Sequence, residues 1–272
     1  MQDEIITIYV ICDEYLKALG YRDDAQVAMT TAEVMTTALV AAQMYKNCLA
    51  HARKCLYEAG YIPNMLGESR LNRRLYAIPE GVWLGLFDVL ASVHKQLNPG
   101  QEYSVDSFPL PVCDNYRIRR CRLYRDKAFH GYIASKKRYF YGLRVHVVVT
   151  ADGQPVDVVI APAADADITV FRRFQLDLPE GATIYGDKAY TDYVCEDVLN
   201  EDTPLTLTTL RKRNSKRPMD GCLRYICEHV RKRIETSFSQ IADLFAKRIY
   251  AVTARGVELK AFLAVLAFSI CG

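Results

Sequence analysis

The segment YFYGLRVHVVVTADGQPVDVVIA, residues Tyr139–Ala161, contains two runs of β-branched and aromatic residues on either side of a short polar turn. The runs Tyr139–Thr150 and Pro155–Ala161 have the composition of strands, and the Ala-Asp-Gly-Gln between them is typical of a turn, so we expect a β-hairpin. The hairpin separates a helical first part of the chain from a second part that mixes strands and helices.

The chain around this hairpin alternates between short extended segments and helical ones. We therefore predict an α/β domain with a mixed five-stranded sheet flanked by helices. Besides the hairpin, the predicted elements are a strand at Glu102–Phe108, a helix at Asp165–Leu176, a strand at Thr183–Tyr185, a helix at Tyr190–Asn200, a strand at Pro204–Leu210, a long amphipathic helix at Tyr225–Phe245 and a closing apolar helix.

The first hundred residues predict a helical domain. Thr31–Ala59 is rich in Ala, Met and Leu and contains no Pro or Gly, so we expect a helix there. Ser69 is a candidate N-cap for a further helix that runs towards His94. We predict two domains: residues 1–98, a helical domain that is a candidate for DNA binding, and residues 99–272, which carry the sheet.

Overall composition is that of a folded globular protein, with 50% hydrophobic and 25% charged residues among 272. The formal net charge of +3 excludes a uniformly polybasic protein. The charge is clustered, however: Tyr116–Arg144 holds ten basic residues and one acidic, and Arg211–Arg233 holds nine and two. Such clusters favour the binding of a polyanion over a merely solvated surface.

The basic clusters supply the candidate DNA contacts. Aromatic residues interleave the first cluster and could stack on bases. The candidates are Arg119, Arg120, Arg122, Lys136, Lys137 and Arg138 in the first cluster, Arg211, Lys212, Arg213, Lys216 and Arg217 in the second, and Arg70, Arg73 and Arg74 in the helical domain.

Cysteine usage and hydropathy exclude several other classes of protein. The nine cysteines are odd in number and form no Cys-x-x-Cys pair, so we expect reduced thiols and no zinc module. The longest apolar run, Ala261–Cys271, has eleven residues and is too short to cross a bilayer. The first residues lack the basic region of a secretory signal, and we expect a cytosolic protein.

Three carboxylates occupy positions that a hydrophobic core does not favour. Asp106 lies inside an extended segment, Asp187 directly follows a short buried strand, and Glu235 lies on the long helix. Each alone is more often structural. Three together would raise each other's pKa, which hard divalent cations such as Mg²⁺ or Mn²⁺ relieve. Two such ions about 3.5–4 Å apart support phosphodiester chemistry on a nucleic acid.

The sequence contexts of these acids are more specific than the acids themselves. They are Val-Asp-Ser at 105–107, Tyr-Gly-Asp-Lys-Ala-Tyr at 185–190 and Arg-Lys-Arg-Ile-Glu-Thr at 231–236, separated by 81 and 48 residues. With Ser-Arg-Leu-Asn-Arg-Arg at 69–74, they resemble a bacterial insertion-sequence transposase of the DDE type over nearly the whole chain. The resemblance implies a ribonuclease-H-like catalytic domain in which Asp106, Asp187 and Glu235 are catalytic and bind two Mg²⁺ or Mn²⁺ ions.

The resemblance also implies a reaction and its partners. Such an enzyme cleaves element ends in double-stranded DNA to free a 3′-OH and joins that hydroxyl to target DNA, which requires a dimer or larger assembly on DNA. Arg231, four residues before the glutamate, matches the family and is a candidate DNA contact, whereas Glu228 and Ala242 replace a tyrosine and a lysine of many relatives. Two alternatives are a metal-dependent nuclease of the same fold and a non-catalytic DNA-binding regulator derived from a transposase.

Four more polar residues close to the acids have their own interpretations. Lys188, beside Asp187, is a candidate contact to the scissile phosphate, with a solvent-facing lysine as the alternative. We expect His146, inside a strand, to be a hydrogen-bonded buried histidine. Asp165 and Asp167 precede a predicted helix, and we expect them to cap it.

Overall fold

The computed structural model describes residues 1–133, 136–245, 249 and 251–272. Two compact units are present. One comprises Met1–Leu90 with Asp243–Ile249 and Leu259–Gly272, and the other comprises Ala91–Ala242 with Tyr250–Glu258. The predicted division into domains at residue 98 stays a prediction.

Helices make up the N-terminal hundred residues, as predicted. Apolar side chains of these helices are buried against one another, with Ile8, Leu39 and Leu56 fully inaccessible to solvent. The helices are α1 (Gln2–Ala18), α2 (Thr31–Tyr45), α3 (Leu49–Glu58), α4 (Glu68–Ala77) and α5 (Glu80–Gln96).

The boundaries of two predicted helices are wrong. The segment Thr31–Ala59 forms α2 and α3 rather than one helix, because Lys46 and Asn47 adopt left-handed backbone angles (φ 51° and 64°) that end α2. The one local sign of this break is Asn47, because asparagine tolerates the left-handed backbone that follows a helix C-cap. The predicted cap Ser69 lies inside α4, whose N-cap is Gly67.

The second unit is built on a mixed sheet of six strands, so the predicted number of five is corrected. The additional strand, β2, is short and lies within the first basic cluster, where no hydrophobic alternation marks it. The strands are β1 (Glu102–Asp114), β2 (His130–Ile133), β3 (Arg138–Thr150), β4 (Pro155–Pro162), β5 (Thr183–Gly186) and β6 (Thr206–Thr209).

Strand pairing places β3 and β1 at the middle of the sheet. β3 pairs antiparallel with β1 on one side, and on its other side with β2 and then β4 along successive parts of its length. The predicted β3–β4 hairpin is therefore confirmed. β1 pairs in parallel with β5, and β5 in parallel with β6. The sheet is thus antiparallel on one side and parallel on the other.

β1 is longer than predicted and continues through Pro109 and Pro111. Its parallel neighbour β5 ends at Gly186, which pairs with Val105, so the later part of β1 has one open edge. Proline is tolerated at an open edge because no hydrogen bond from its nitrogen is required there. A register shift between Pro111 and Cys113 marks the irregularity.

Four further helices complete the described chain: α6 (Asp167–Phe171), α7 (Tyr193–Asp202), α8 (Gly221–Asp243) and α9 (Ala254–Cys271). α6 is shorter than the predicted Asp165–Leu176, since it begins at Asp167 and ends at Phe171 with Arg172 as its C-cap. Leu176, five residues further on, has a left-handed backbone (φ 49°) and donates its N–H to Asp157 Oδ2. α8 is the predicted amphipathic helix and buries Cys227, Ile234, Phe238 and Ile241.

The structure also describes the cysteines and the apolar helices. All nine cysteines are free thiols. Among the residues described, no single helix is long and apolar enough to cross a membrane, although the bent pair α4 and α5 passes the same test of length and composition together.

The turn between β3 and β4 fixes the position of α8. Arg233 donates from Nε to the Asp152 carbonyl at 3.0 Å, and Gly153 has a positive φ of 87°. A β-carbon at Gly153 would collide with the Ser237 hydroxyl on α8. The turn therefore requires glycine both for its backbone angle and for its contact with the helix.

We expect Gly153→Ala to lower the free energy of unfolding by about 1–3 kcal/mol, because it combines backbone strain with a collision against α8. Thermal and denaturant unfolding would measure the loss. The matched control is Gly81→Ala in α5, where an added methyl group meets nothing within 4 Å. Equal stability of the two variants would contradict the role assigned to this turn.

Candidate active site

The parallel pairing of β1 with β5 brings two of the predicted acids together. Val105 pairs with Gly186, so the residues that follow them, Asp106 and Asp187, lie next to each other at the same edge of the sheet. Because the two side chains are close, the negative charge of Asp187 raises the pKa of Asp106. The carboxyl end of β5 is also where open sheets bind ligands.

Asp106 lies in a protected environment, with 22% of its side chain exposed. Burial is the largest effect on its carboxyl group and raises its pKa. Two hydrogen bonds oppose that shift: the Ser107 backbone N–H donates to Oδ1 at 2.8 Å, and Arg231 donates from Nη2 to Oδ2 at 2.9 Å. Asp106 is therefore an acid whose ionised form depends on its partners.

Asp187 is held by the backbone that follows it. Its Oδ1 accepts a hydrogen bond from the Ala189 N–H at 2.6 Å, which caps the short 3₁₀ helix Lys188–Tyr190. Gly186, just before it, is closely surrounded, because a β-carbon there would lie 3.2 Å from Tyr190 Cβ and 3.4 Å from a methyl carbon of Thr209. The small residue allows the chain to turn sharply at the end of β5.

Packing of α8 against the sheet places Arg231 beside Asp106. Cys227 of α8 is buried in a cluster with Tyr185 and Leu210, and the Phe238 ring meets the Phe108 ring edge to face at 5.2 Å. Arg231 lies between these two anchors on the helix, and only 14% of its side chain is exposed. The sequence placed Arg231 near the site but did not predict its bond to Asp106.

Glu235, the third predicted acid, lies one helical turn beyond Arg231 and is exposed. Throughout the part of the chain that the structure describes, no three His, Cys, Asp or Glu side chains lie close enough together to hold a metal ion. The structure thus brings Asp106 and Asp187 together and leaves Glu235 apart from them. A metal-binding role for all three stays a prediction.

Donor chemistry determines which ions this site fits. A carboxylate within β1 and a carboxylate directly after β5 offer hard oxygen ligands, and their mutual repulsion falls when a divalent cation binds between them. Asp106 and Asp187 therefore fit Mg²⁺ or Mn²⁺ as two members of a ligand set. Arg231 supplies positive charge at one of them.

A buried polar network lies on the opposite face of β1, and sequence analysis missed its central member, Asp167. Asp167 Oδ1 accepts hydrogen bonds from the Ser107 hydroxyl at 3.0 Å and from Arg144 Nη1 at 3.1 Å. The predicted capping role of Asp165 and Asp167 is wrong: α6 has Ala166 as its N-cap without a side-chain cap, and Asp165 pairs with Arg173 instead.

His146 belongs to the same network and is fully buried, as predicted. Its Nδ1 lies 3.2 Å from the Tyr190 hydroxyl. Burial lowers the pKa of His146 to about 4, so the imidazole is neutral at pH 7. Burial likewise raises the pKa of Tyr190, whose hydroxyl is also influenced by the charges of Asp167, Asp106 and Asp187. His146 and Tyr190 are therefore neutral members of this network, beside the ion pair of Asp167 with Arg144.

Comparison with protein families gives one match, and it covers this site. Residues 98–270 match the family model of the transposase DDE domain. The chain belongs to this family. Comparison with curated proteins gave no match, nor did comparison with solved structures. The matched range contains Asp106, Asp187, Arg231 and Glu235, so the resemblance to a DDE-type transposase is confirmed.

Several basic residues predicted to contact DNA already pair with an acid. Arg211 forms two hydrogen bonds of 2.6 Å with the buried Glu196, which satisfies both charges inside the unit. The other paired residues are Arg231 with Asp106, Arg217 with Asp197, Arg138 with Asp114 and Arg74 with Asp23.

The remaining predicted DNA contacts are exposed, and no ion pair involves them in the described parts of the chain. They are Lys188, Lys212, Arg213, Lys216, Arg119, Arg120, Arg122, Lys136, Lys137, Arg70 and Arg73. In the helical unit, Arg70 and Arg73 line a pocket of about 480 Å³ together with Arg74. These side chains are free to neutralise phosphates, and their contact with DNA stays a prediction.

The ion pair between Arg231 and Asp106 yields a prediction about charge. In Arg231→Gln we expect the pKa of Asp106 to rise further, because burial and Asp187 are then less opposed. Titration of the Asp106 carboxyl carbon by NMR, assigned with Asp106→Asn, would measure the shift. Lys232→Gln is the control, because it removes the same charge from an exposed neighbouring residue and should change the pKa of Asp106 little. An unchanged Asp106 pKa in Arg231→Gln would contradict the contact.

Proposed function

We propose that this protein cleaves the ends of an insertion element in double-stranded DNA and joins the freed 3′-OH to target DNA. The observation that carries the proposal is the adjacency of Asp106 and Asp187 at the end of the β1–β5 pair, inside a chain of the transposase DDE family. We further propose a ribonuclease-H-like fold, which agrees with a mixed sheet whose central strand β1 is parallel to β5 and antiparallel to β3.

In this proposal Asp106 and Asp187 hold divalent metal ions, Mg²⁺ or Mn²⁺, and Glu235 completes the ligand set. When bound, the metal supplies a Lewis acid that neutralises charge on the phosphate. The protein's own contribution is to hold both aspartates in place: Ser107 and Arg231 bind Asp106 and oppose the rise in its pKa, and Ala189 binds Asp187. Helix α8 carries both Glu235 and Arg231, the residue that contacts Asp106.

Arg231 has a second role in the proposal. It uses Nη2 to bind Asp106, while its Nε is buried and has no hydrogen-bond partner among the described residues. Because that nitrogen is closed to solvent, a phosphate oxygen would be bound through the exposed 14% of the side chain, beside the carboxylate pair. We assign it to orient the scissile phosphate at Asp106.

The proposed reaction has two balanced steps. In the first, the oxygen of water forms a bond to phosphorus, the bond from phosphorus to the 3′ oxygen breaks, and that oxygen takes up a proton to become a 3′-OH. In the second, this hydroxyl attacks a phosphodiester of target DNA and releases the 3′ oxygen there. No covalent bond between protein and DNA forms, so neither step needs a serine or tyrosine nucleophile.

We expect Asp106→Asn and Asp187→Asn each to reduce cleavage and strand joining at least about 100-fold while DNA binding persists, because each substitution removes a negatively charged ligand. Incubation with terminal-repeat DNA and Mg²⁺, followed by separation of nicked and joined products, measures both steps. Glu228→Gln is the matched control, since it removes an exposed acid from α8 and should leave activity unchanged.

The same assay separates the alternatives. Cutting without joining would favour a metal-dependent nuclease of the same fold. DNA binding without cutting, equal in wild type and Asp106→Asn, would favour a DNA-binding regulator and would contradict the proposal. If Asp106→Asn loses activity and Glu235→Gln does not, the aspartate pair remains in the proposed ligand set and Glu235 is excluded from it.

A further inference from the structure

An exposed cluster of aromatic rings lies on the β2–β3 hairpin, outside the carboxylate site. His130 and Tyr132 on β2 pair directly with Tyr141 and Tyr139 on β3. Because side chains alternate across a strand, these four point to the face opposite Ile133 and Phe140, which are buried together with Ala163. We call His130, Tyr132, Tyr139 and Tyr141 the aromatic platform.

The rings of the platform form one continuous set of contacts. Ring centroids lie 4.7 Å apart for Tyr132 and Tyr139, and 4.8 Å apart for His130 and Tyr141. The diagonal pair His130 and Tyr139 joins the two, with centroids 5.1 Å apart and planes inclined by 12°. Such contacts hold the rings in place without covering them.

Exposure distinguishes this platform from an ordinary hairpin contact. Tyr132 is 42% exposed and Tyr139 is 52% exposed, so broad ring faces remain in contact with water. Exposed apolar patches on a protein surface commonly mark the place where a partner binds. The two tyrosines at the outer end of the hairpin are therefore the accessible part of the platform.

Charge around the platform identifies the partner. Lys136 and Lys137, directly before β3, are exposed and take no part in any ion pair in the structure as described. The 3₁₀ helix Asn115–Arg120, which contacts β3, adds the exposed Arg119 and Arg120, whereas Arg117 of that helix lies over the Tyr116 ring. Aromatic rings flanked by free cations suit a ligand that offers flat apolar faces together with phosphates.

We propose that the aromatic platform binds unpaired DNA bases, by stacking them on Tyr132 and Tyr139 while the flanking cations bind the adjoining phosphates. Bases in an intact duplex are stacked on one another and cannot reach the rings, so the ligand is single-stranded DNA or a locally unpaired end. Stacking tolerates any base, so we expect little sequence preference. The proposal rests on the proposed function only in taking DNA as the ligand.

Binding of a fluorescein-labelled dT12 oligonucleotide, measured by anisotropy with EDTA to prevent cleavage, tests the platform. We expect the double variant Tyr132→Ala/Tyr139→Ala to bind roughly 10- to 100-fold more weakly, whereas Tyr132→Phe/Tyr139→Phe binds as wild type, because the rings and not the hydroxyls stack. Tyr57→Ala, an equally exposed tyrosine on α3, is the control and should not change affinity. Affinity for a blunt duplex should change less than threefold.

Equal affinity of wild type and the double alanine variant for dT12 would overturn the proposal, as would an equal loss in the phenylalanine variant or an equal loss for duplex DNA. A changed oligomeric mass with unchanged affinity would overturn it too, by assigning the platform to a second copy of the chain. Quenching of 2-aminopurine in a single strand by the wild-type protein gives support that does not depend on any variant. Because the assay needs no metal, it can succeed even if the aspartate variants show no role in cleavage.

Discussion

The parallel pairing of β1 with β5 is the constraint on which the rest of the site depends. Asp106 and Asp187 are 81 residues apart in the sequence, and they become neighbours because Val105 pairs with Gly186. A change of register by one residue would turn one carboxylate to the other face of the sheet. The four-residue strand β5 is held on both sides, by β1 and β6, which keeps this register.

Placing two carboxylates together in a partly buried place is unfavourable, and the fold offsets the repulsion locally. Arg231 supplies positive charge to Asp106, and α8 holds it there through the Cys227 cluster and the contact of Phe238 with Phe108. On the opposite face of β1, Ser107 and Arg144 bind Asp167, so this third acid is neutralised within its own network. The carboxylates of Asp106 and Asp187 therefore face outward, and the Asp167 carboxylate is held inside by its hydrogen bonds.

Sequence patterns predicted the parts of the fold that depend on local chemistry. The β3–β4 hairpin, the long amphipathic α8 and the placement of Asp187 directly after a short buried strand all follow from residue periodicity and turn composition. Family motifs added the order of the three acids. The short strand β2 was missed because no hydrophobic alternation marks it, and the break after Tyr45 because Asn47 is its one local sign.

The partners of charged residues could not be predicted from the sequence. Arg211, Arg217 and Arg231 lie in one basic cluster, yet each bonds to an acid, and for Arg231 that acid is 125 residues away. Asp167 likewise seemed a helix cap and instead accepts bonds from two different strands. These contacts are set by strand pairing and helix packing, which a one-dimensional pattern does not contain.

The most direct test of the account locates the metal itself. In crystals of the protein grown with Mn²⁺ and a terminal-repeat duplex, the anomalous signal of manganese would give the position of each bound ion. We expect manganese between the carboxylates of Asp106 and Asp187, with the Glu235 carboxylate turned towards it. Manganese bound elsewhere in a complex that cleaves its DNA, with both aspartates free of it, would contradict the central claim.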